Sequence, residues 1–184
     1  MANLTAANRL GPIGDIQRNF MFELIIPQIG VMTGGLIDSE GFTVRCKEAT
    51  IPSRGSETIA TWFMGTKANF PGKPNVADTL QVTLDETEDQ KVQKAIYAWQ
   101  QRIFDIDPTS GTAGYSQAVN KAGLSTTMML RAYKYNGQKC DYDMVVYNAW
   151  PSERGEISFS MNGSEKVSPN VTFTFDYHLM QKSV

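Results

Sequence analysis

Between residues 78 and 107 the hydrophobic pattern changes period from two to about 3.6, the mark of a strand running into a helix. Thr79, Gln81, Thr83 and Asp85 alternate with Leu80, Val82 and Leu84, which predicts a strand with one polar and one apolar face. Thr87-Glu88-Asp89-Gln90 matches a capping box, and Glu86, Glu88 and Asp89 crowd the end where a helix dipole is positive. Val92, Ile96, Trp99 and Ile103 then recur at steps of four, three and four, a stripe that needs a sheet to lie on. Asp107-Pro108 is expected to stop that helix.

Elsewhere the pattern predicts strands. Residues 20–26 are apolar on both faces apart from Glu23, and residues 42–47 alternate with Phe42, Val44 and Cys46 inward; the two are expected to pair as a hairpin. Residues 126–135 and 139–147 flank Asn136-Gly137, a strong hairpin signal, and Trp150-Pro151 marks a corner. Residues 156–161 alternate with Ile157, Phe159 and Met161 inward before Asn162-Gly163 breaks them. In the last strand, 170–180, Val171, Phe173, Phe175, Tyr177 and Leu179 share one face, opposite Thr172, Thr174, Asp176 and His178. Strands, one helix, then strands indicate a mainly β fold: two packed antiparallel sheets, a sandwich or partial barrel, with one flanking α-helix.

Three stretches fall outside this pattern. Residues 1–17, with Gly11-Pro12 and Gly14, read as a flexible N-terminal arm. Residues 108–125 read as a surface loop anchored by Tyr115 and Val119. Residues 48–77 are punctuated by Pro52, Gly55, Gly65, Pro71-Gly72 and Pro74, yet carry Ile51, Ile59, Trp62, Phe63, Met64 and Phe70. A solvated loop does not bury two large aromatics, so this segment either folds back on its own domain or projects onto a neighbouring subunit.

Composition narrows the function. The 184 residues suffice for one domain, and a net charge of −2 with no basic cluster argues against gripping nucleic acid through its phosphates. No basic head and apolar core opens the chain, so a cytoplasmic site of synthesis is expected, and no run is long enough to cross a bilayer. Cys46 and Cys140 lack metal-ligand spacing and read as packed thiols, or as a pair formed between subunits. The single histidine, His178, has no nucleophile motif to serve, and Asp141 and Asp143 lack a third ligand; no catalytic set, cofactor or metal site is read, and an enzyme is not expected. A small barrel with an apolar ligand is the rival of another class.

Taken in order, FTVRCKEATIP at 42–52, Trp62-Phe63-Met64-Gly65, the strand-helix unit with Trp99, YNAWPS at 147–152 and the aromatic last strand resemble the tail tube proteins of contractile-tailed bacteriophages. The resemblance runs from about residue 18 to 180; residues 28–40 and 109–124 lie outside it. It implies a structural virion protein whose hexameric rings close neighbouring sheets into one barrel and stack into a tube inside a contractile sheath, in the tail, assembled in the host cytoplasm. Implied partners are further copies of itself, the sheath, tape measure, baseplate and tail terminator proteins, and double-stranded DNA that passes through without specific binding. Residues 48–77 then reach the adjacent ring, with Ile51, Pro52, Ile59, Trp62, Phe63, Met64 and Phe70 as the contacts. Thr79, Gln81, Thr83 and Asp85, and Thr172, Thr174, Asp176 and His178, are the candidate bore-lining faces. The inner tube of a DNA-free machine, tailocin or type VI secretion, or a tube-like baseplate or terminator protein, shares these features.

Overall fold

The computed structural model describes residues 17–106, 109, 114–115, 121–157, 159–161 and 166–183. In chain order the elements are β1 (Phe22–Ile25), α1 (Ile29–Met32), α2 (Ser39–Arg45), β2 (Cys46–Ala49), β3 (Arg54–Phe63), β4 (Thr66–Val76) and β5 (Thr79–Leu84). They continue with α3 (Lys91–Ile103), β6 (Phe104–Asp105), β7 (Gly114–Tyr115), α4 (Lys121–Leu124), β8 (Thr126–Ala132), β9 (Tyr142–Arg154), β10 (Asn170–Thr174) and β11 (Tyr177–Lys182).

Two antiparallel sheets share β9, which at 13 residues is long enough to serve both. Its first half lies between β8 and β11, with β1 beyond β8. Its second half pairs with β10, and β5 and then β2 follow outward. The sheets do not close into a barrel within one chain. β1 ends in a covered edge, because the Thr43 hydroxyl of α2 donates to the Leu24 carbonyl at 2.8 Å.

The core is what the switch of period demanded. Leu80, Val82 and Leu84 of β5 and Val171 and Phe173 of β10 face α3, whose Val92, Ala95, Ile96 and Trp99 are buried, with Ile103 packed partly buried beside them. The Trp99 ring tilts against Phe173 at 5.9 Å, and its indole N–H donates to the Leu124 carbonyl at 2.8 Å. Each such side chain removed from water is worth about 1.5–3 kcal/mol.

The helix start differs from the expected capping box. Gln90 takes a left-handed conformation (φ 54°) and closes a turn on Thr87, so α3 begins at Lys91. That turn swings Glu86 over the helix mouth, where its carboxylate accepts from the Val92 N–H at 3.2 Å and the Gln93 N–H at 2.8 Å. An acid at the positive end of the dipole replaces the Thr87–Gln90 exchange. α3 ends at Ile103; Asp107-Pro108 lies outside the described residues, as do the arm over 1–16, the Tyr115 and Val119 side chains and Asn162-Gly163.

Other departures have identifiable causes. Residues 42–45 are helical, because Asp38 caps α2 by accepting from the Gly41 N–H at 2.9 Å; Phe42 is buried and Val44 exposed. β1 therefore pairs with β8 and β2 with β5, and the expected β1–β2 hairpin does not form. β9 runs through Trp150 and Pro151 instead of turning; β8 stops pairing at Ala149, so the missing Pro151 N–H interrupts no ladder there. Residues 156–161 form no strand among those described, and Phe159 and Met161 are exposed. Short helices α1, α2 and α4 accompany the expected one, and the 108–125 stretch contains β7 and α4.

Candidate functional site: an open polar sheet face and a projecting hairpin

Residues 48–77 form a projecting hairpin in place of an irregular loop. β3 and β4 pair only with each other, and the hairpin is exposed along nearly its whole length. Prolines 71 and 74 are tolerated because no third strand needs their N–H. Met64 (φ 46°) and Gly65 (φ 79°) make a two-residue turn whose twist suits the flanking strands, and only glycine enters its second position without strain. Ile59 sits opposite Phe70 and Phe63 opposite Thr66 on one face; Trp62 sits opposite Lys67 on the other. Trp62, Phe63 and Met64 are 68%, 71% and 90% exposed, an apolar tip that packs on nothing among the described residues. Ile51 is exposed at the base as well, whereas Pro52 is buried in the body and so is no part of the projecting surface.

The two candidate polar faces turn out to be one. β5 and β10 are neighbours, with Thr79 opposite Thr174, Gln81 opposite Thr172 and Thr83 opposite Asn170. Next to them stand Glu153 on β9, opposite Thr172, and Glu48 on β2, opposite Thr83. The other face of this sheet is closed by α3, so a continuous field of hydroxyls and amides, flanked by Glu48 and Glu153, is left to solvent. Neither glutamate stood out in the sequence, since only the pairing register brings them onto this face.

The two aspartates assigned to that face are not bare charges. Lys166 donates to Asp85 at 2.7 Å, and this bond and its charge hold the Asp85 carboxyl below its ordinary value. Asp176 lies at the break between β10 and β11, held by Lys121 and by the Asn148 amide at 2.8 Å, and the Lys121 bond lowers its carboxyl in the same way. His178 does not face outward at all. After Phe175 the chain uses two residues to cross the break, which flips the faces: His178 is buried edge-on to Phe175 at 5.7 Å, while Tyr177 and Leu179 turn out. His178 is therefore removed from the candidate bore surface.

On the outer face of the other sheet, Arg131 of β8 forks onto Asp143 of β9, with N–O distances of 2.9–3.2 Å, and the Tyr133 hydroxyl donates to Glu23 at 2.6 Å. The Asp143 side chain is only 4% exposed. Burial pushes its carboxyl up, but the bonds from Arg131 and the Arg131 charge outweigh it and hold the group below its ordinary value of 3.8. The pair therefore contributes stability fully above the unfolded value near 3.8 and loses it as pH falls through the lower folded value. Asp143→Asn strands the Arg131 charge and is expected to cost about 2–3 kcal/mol. Urea melts between pH 3 and 7 check this: the wild type should lose stability on acidification more steeply than the variant.

Among the described residues, no three His, Cys, Asp or Glu side chains gather in a group that could hold a metal. Asp141 is paired with Lys134 at 3.1 Å, and burial pushes the Cys46 thiol up to about 12, far from a reactive thiolate. Among the described residues no helix is long and apolar enough to cross a membrane.

Comparison with known proteins addresses the fold and the family. In fold the chain is similar to the tube of an extracellular contractile injection system, PVC, solved as a sheath-tube complex in the extended state. That match has 13% identity and a TM-score of 0.60 over 97% of this chain and 99% of that one. It is similar to the tube terminating cap of the anti-feeding prophage (15% identity, TM-score 0.62, 92% and 93% covered). It is also similar to the SPP1 tail tube (15% identity, TM-score 0.52, 92% and 81% covered). A search by sequence against curated proteins gives no match. Residues 16–181 match the model of the phage tail tube protein family, and with nearly the whole chain inside that match, the chain belongs to that family.

Proposed function

We propose that this chain is the repeating subunit of a hollow tail tube: hexameric rings that stack inside a contractile sheath and conduct double-stranded DNA from capsid to host. The observation that carries the reading is the second sheet, open and polar on one side, closed by α3 on the other and unfinished at both ends. Its strands alternate in direction from β9 to β2, so β2 of one copy meets the second half of β9 of the next in antiparallel sense. Head-to-tail repetition thus closes a ring without a free edge. The bore is then lined by Thr79, Gln81, Thr83, Asn170, Thr172 and Thr174, with carboxylates Glu48 and Glu153. Hydroxyls and a few acids let phosphates slide past water, where lysines would hold them.

The projecting hairpin supplies stacking through Trp62, Phe63 and Met64, and sheath, tape measure, baseplate and terminator proteins are the remaining partners. Purified protein should assemble into hollow six-fold stacks visible by electron microscopy. Protein that stays monomeric at millimolar concentration would overturn the reading, and a tube lined by some other face would overturn the bore assignment. Particles with tubes but no genome would place the chain in a DNA-free injection machine.

A further inference from the structure

We propose that the outer edge of β11 receives β3 from a second copy of this chain, an inference that rests on the assembly reading above. Among the described residues β11 is paired on one side only, by β9. The preceding β10 has β5 on its outer side as far as Phe175, whose N–H bonds to the Asp78 carbonyl at 2.9 Å. Beyond that point the chain that would have continued the ladder has left as β4, and the six residues of β11 keep a row of backbone groups with no strand beside them.

Free edges are ordinarily blunted by proline, by a bulge or by charge. β11 has no proline, its register with β9 is unbroken from Tyr177 to Lys182, and Lys182 at its end is its one Lys, Arg, Asp or Glu. Tyr177, Leu179 and Met180 are 48%, 42% and 69% exposed along it. It is an edge left fit for another strand.

The hairpin offers two edges, and they differ. The two-residue turn makes Phe63–Thr66 the hydrogen-bonded pair that closes the hairpin, and alternation along the register makes Thr58–Pro71 a non-bonded pair. Pro71 thus turns its donor-less nitrogen to the outer edge of β4. On β3 the outward backbone groups belong to Thr58, Ala60 and Trp62, each with its donor intact. Charge favours the same union. The hairpin holds Arg54, Lys67 and Lys73 against Glu57, a net +2 in a chain of net −2, so the rest of the molecule carries −4. The hairpin leaves the sheet at the end where β11 begins, yet among the described residues neither β3 nor β4 pairs with β11 of the same chain, so that edge is left to a second copy. The aromatic tip remains free for the next ring.

The test is disulfide trapping in assembled protein with Cys46 and Cys140 replaced by serine. Met180→Cys is combined in turn with Thr58→Cys and Ala60→Cys, positions exposed enough to leave the monomer fold alone and outside the stacking tip. Mild oxidation should give a ladder of covalent oligomers in at least one combination, and β11 amides should exchange about 100-fold more slowly after assembly. Tubes that form with no more cross-linking than single-cysteine controls, or with bonds only inside one chain, would overturn this pairing and leave the tube reading intact. Failure to form rings or tubes would overturn both.

Discussion

Trp99→Ala is expected to bring the fold close to the limit of its stability. The indole is fully buried at the point where α3 meets β10, its ring lies against Phe173, and its N–H satisfies the Leu124 carbonyl just before β8. Removing it costs about 3–5 kcal/mol in cavity and lost burial, and about 1 kcal/mol more for the orphaned carbonyl. Against a total stability of about 5–15 kcal/mol, that is enough to leave a large unfolded fraction. Trp99→Phe keeps the ring contact and loses only the bond and part of the volume, about 1–2 kcal/mol. Circular dichroism melts of the two variants should separate widely. Similar melting temperatures for Trp99→Ala and wild type would mean that the helix is not what closes the second sheet.

How far the sequence revealed this arrangement depended on how many residues each pattern spanned. The β5–α3 unit was legible because seven alternating residues and a four-point stripe admit one period each. Residues 42–47 were not, because three apolar positions at steps of two fit a strand while Asp38, Ser39 and Glu40 carried the helix-start signal. The last strand was read correctly up to Phe175. The buried series 171, 173, 175 then skips to 178, and a single extra residue at a bend is invisible to a rule of two.

The candidate site shows the same limit in another form. The two polar faces were visible as separate strands, but their union, and the membership of Glu48 and Glu153, depends on which strand lies beside which. Ion pairs across long separations, Lys166 to Asp85 and Lys121 to Asp176, are likewise set by the fold. Residues 48–77 were read as a projecting loop, and they contain the paired strands β3 and β4. Gly and Pro discourage a central strand, yet a hairpin that pairs only with itself has no central strand to spoil.

Replacing both Trp62 and Phe63 by alanine should leave the monomer intact and abolish the tube. Both side chains are mostly exposed in the single chain, so their loss should change its stability by no more than about 0.5 kcal/mol. At an interface the balance reverses. A buried aromatic anchor is commonly worth about 2 kcal/mol or more, and ring stacking engages every arm of a ring at once, so the losses multiply through avidity. The expected result is a wild-type circular dichroism spectrum and melt, with electron microscopy showing isolated rings or monomers where the wild type forms long stacks. Lys67→Ala, opposite Trp62 but carrying no apolar anchor, should leave tube length nearly unchanged and serves as the control. Tubes of normal length from the double variant would mean that the hairpin's apolar tip is not the stacking contact. Loss of the monomer fold would mean that the tip packs against its own body, contrary to its exposure here.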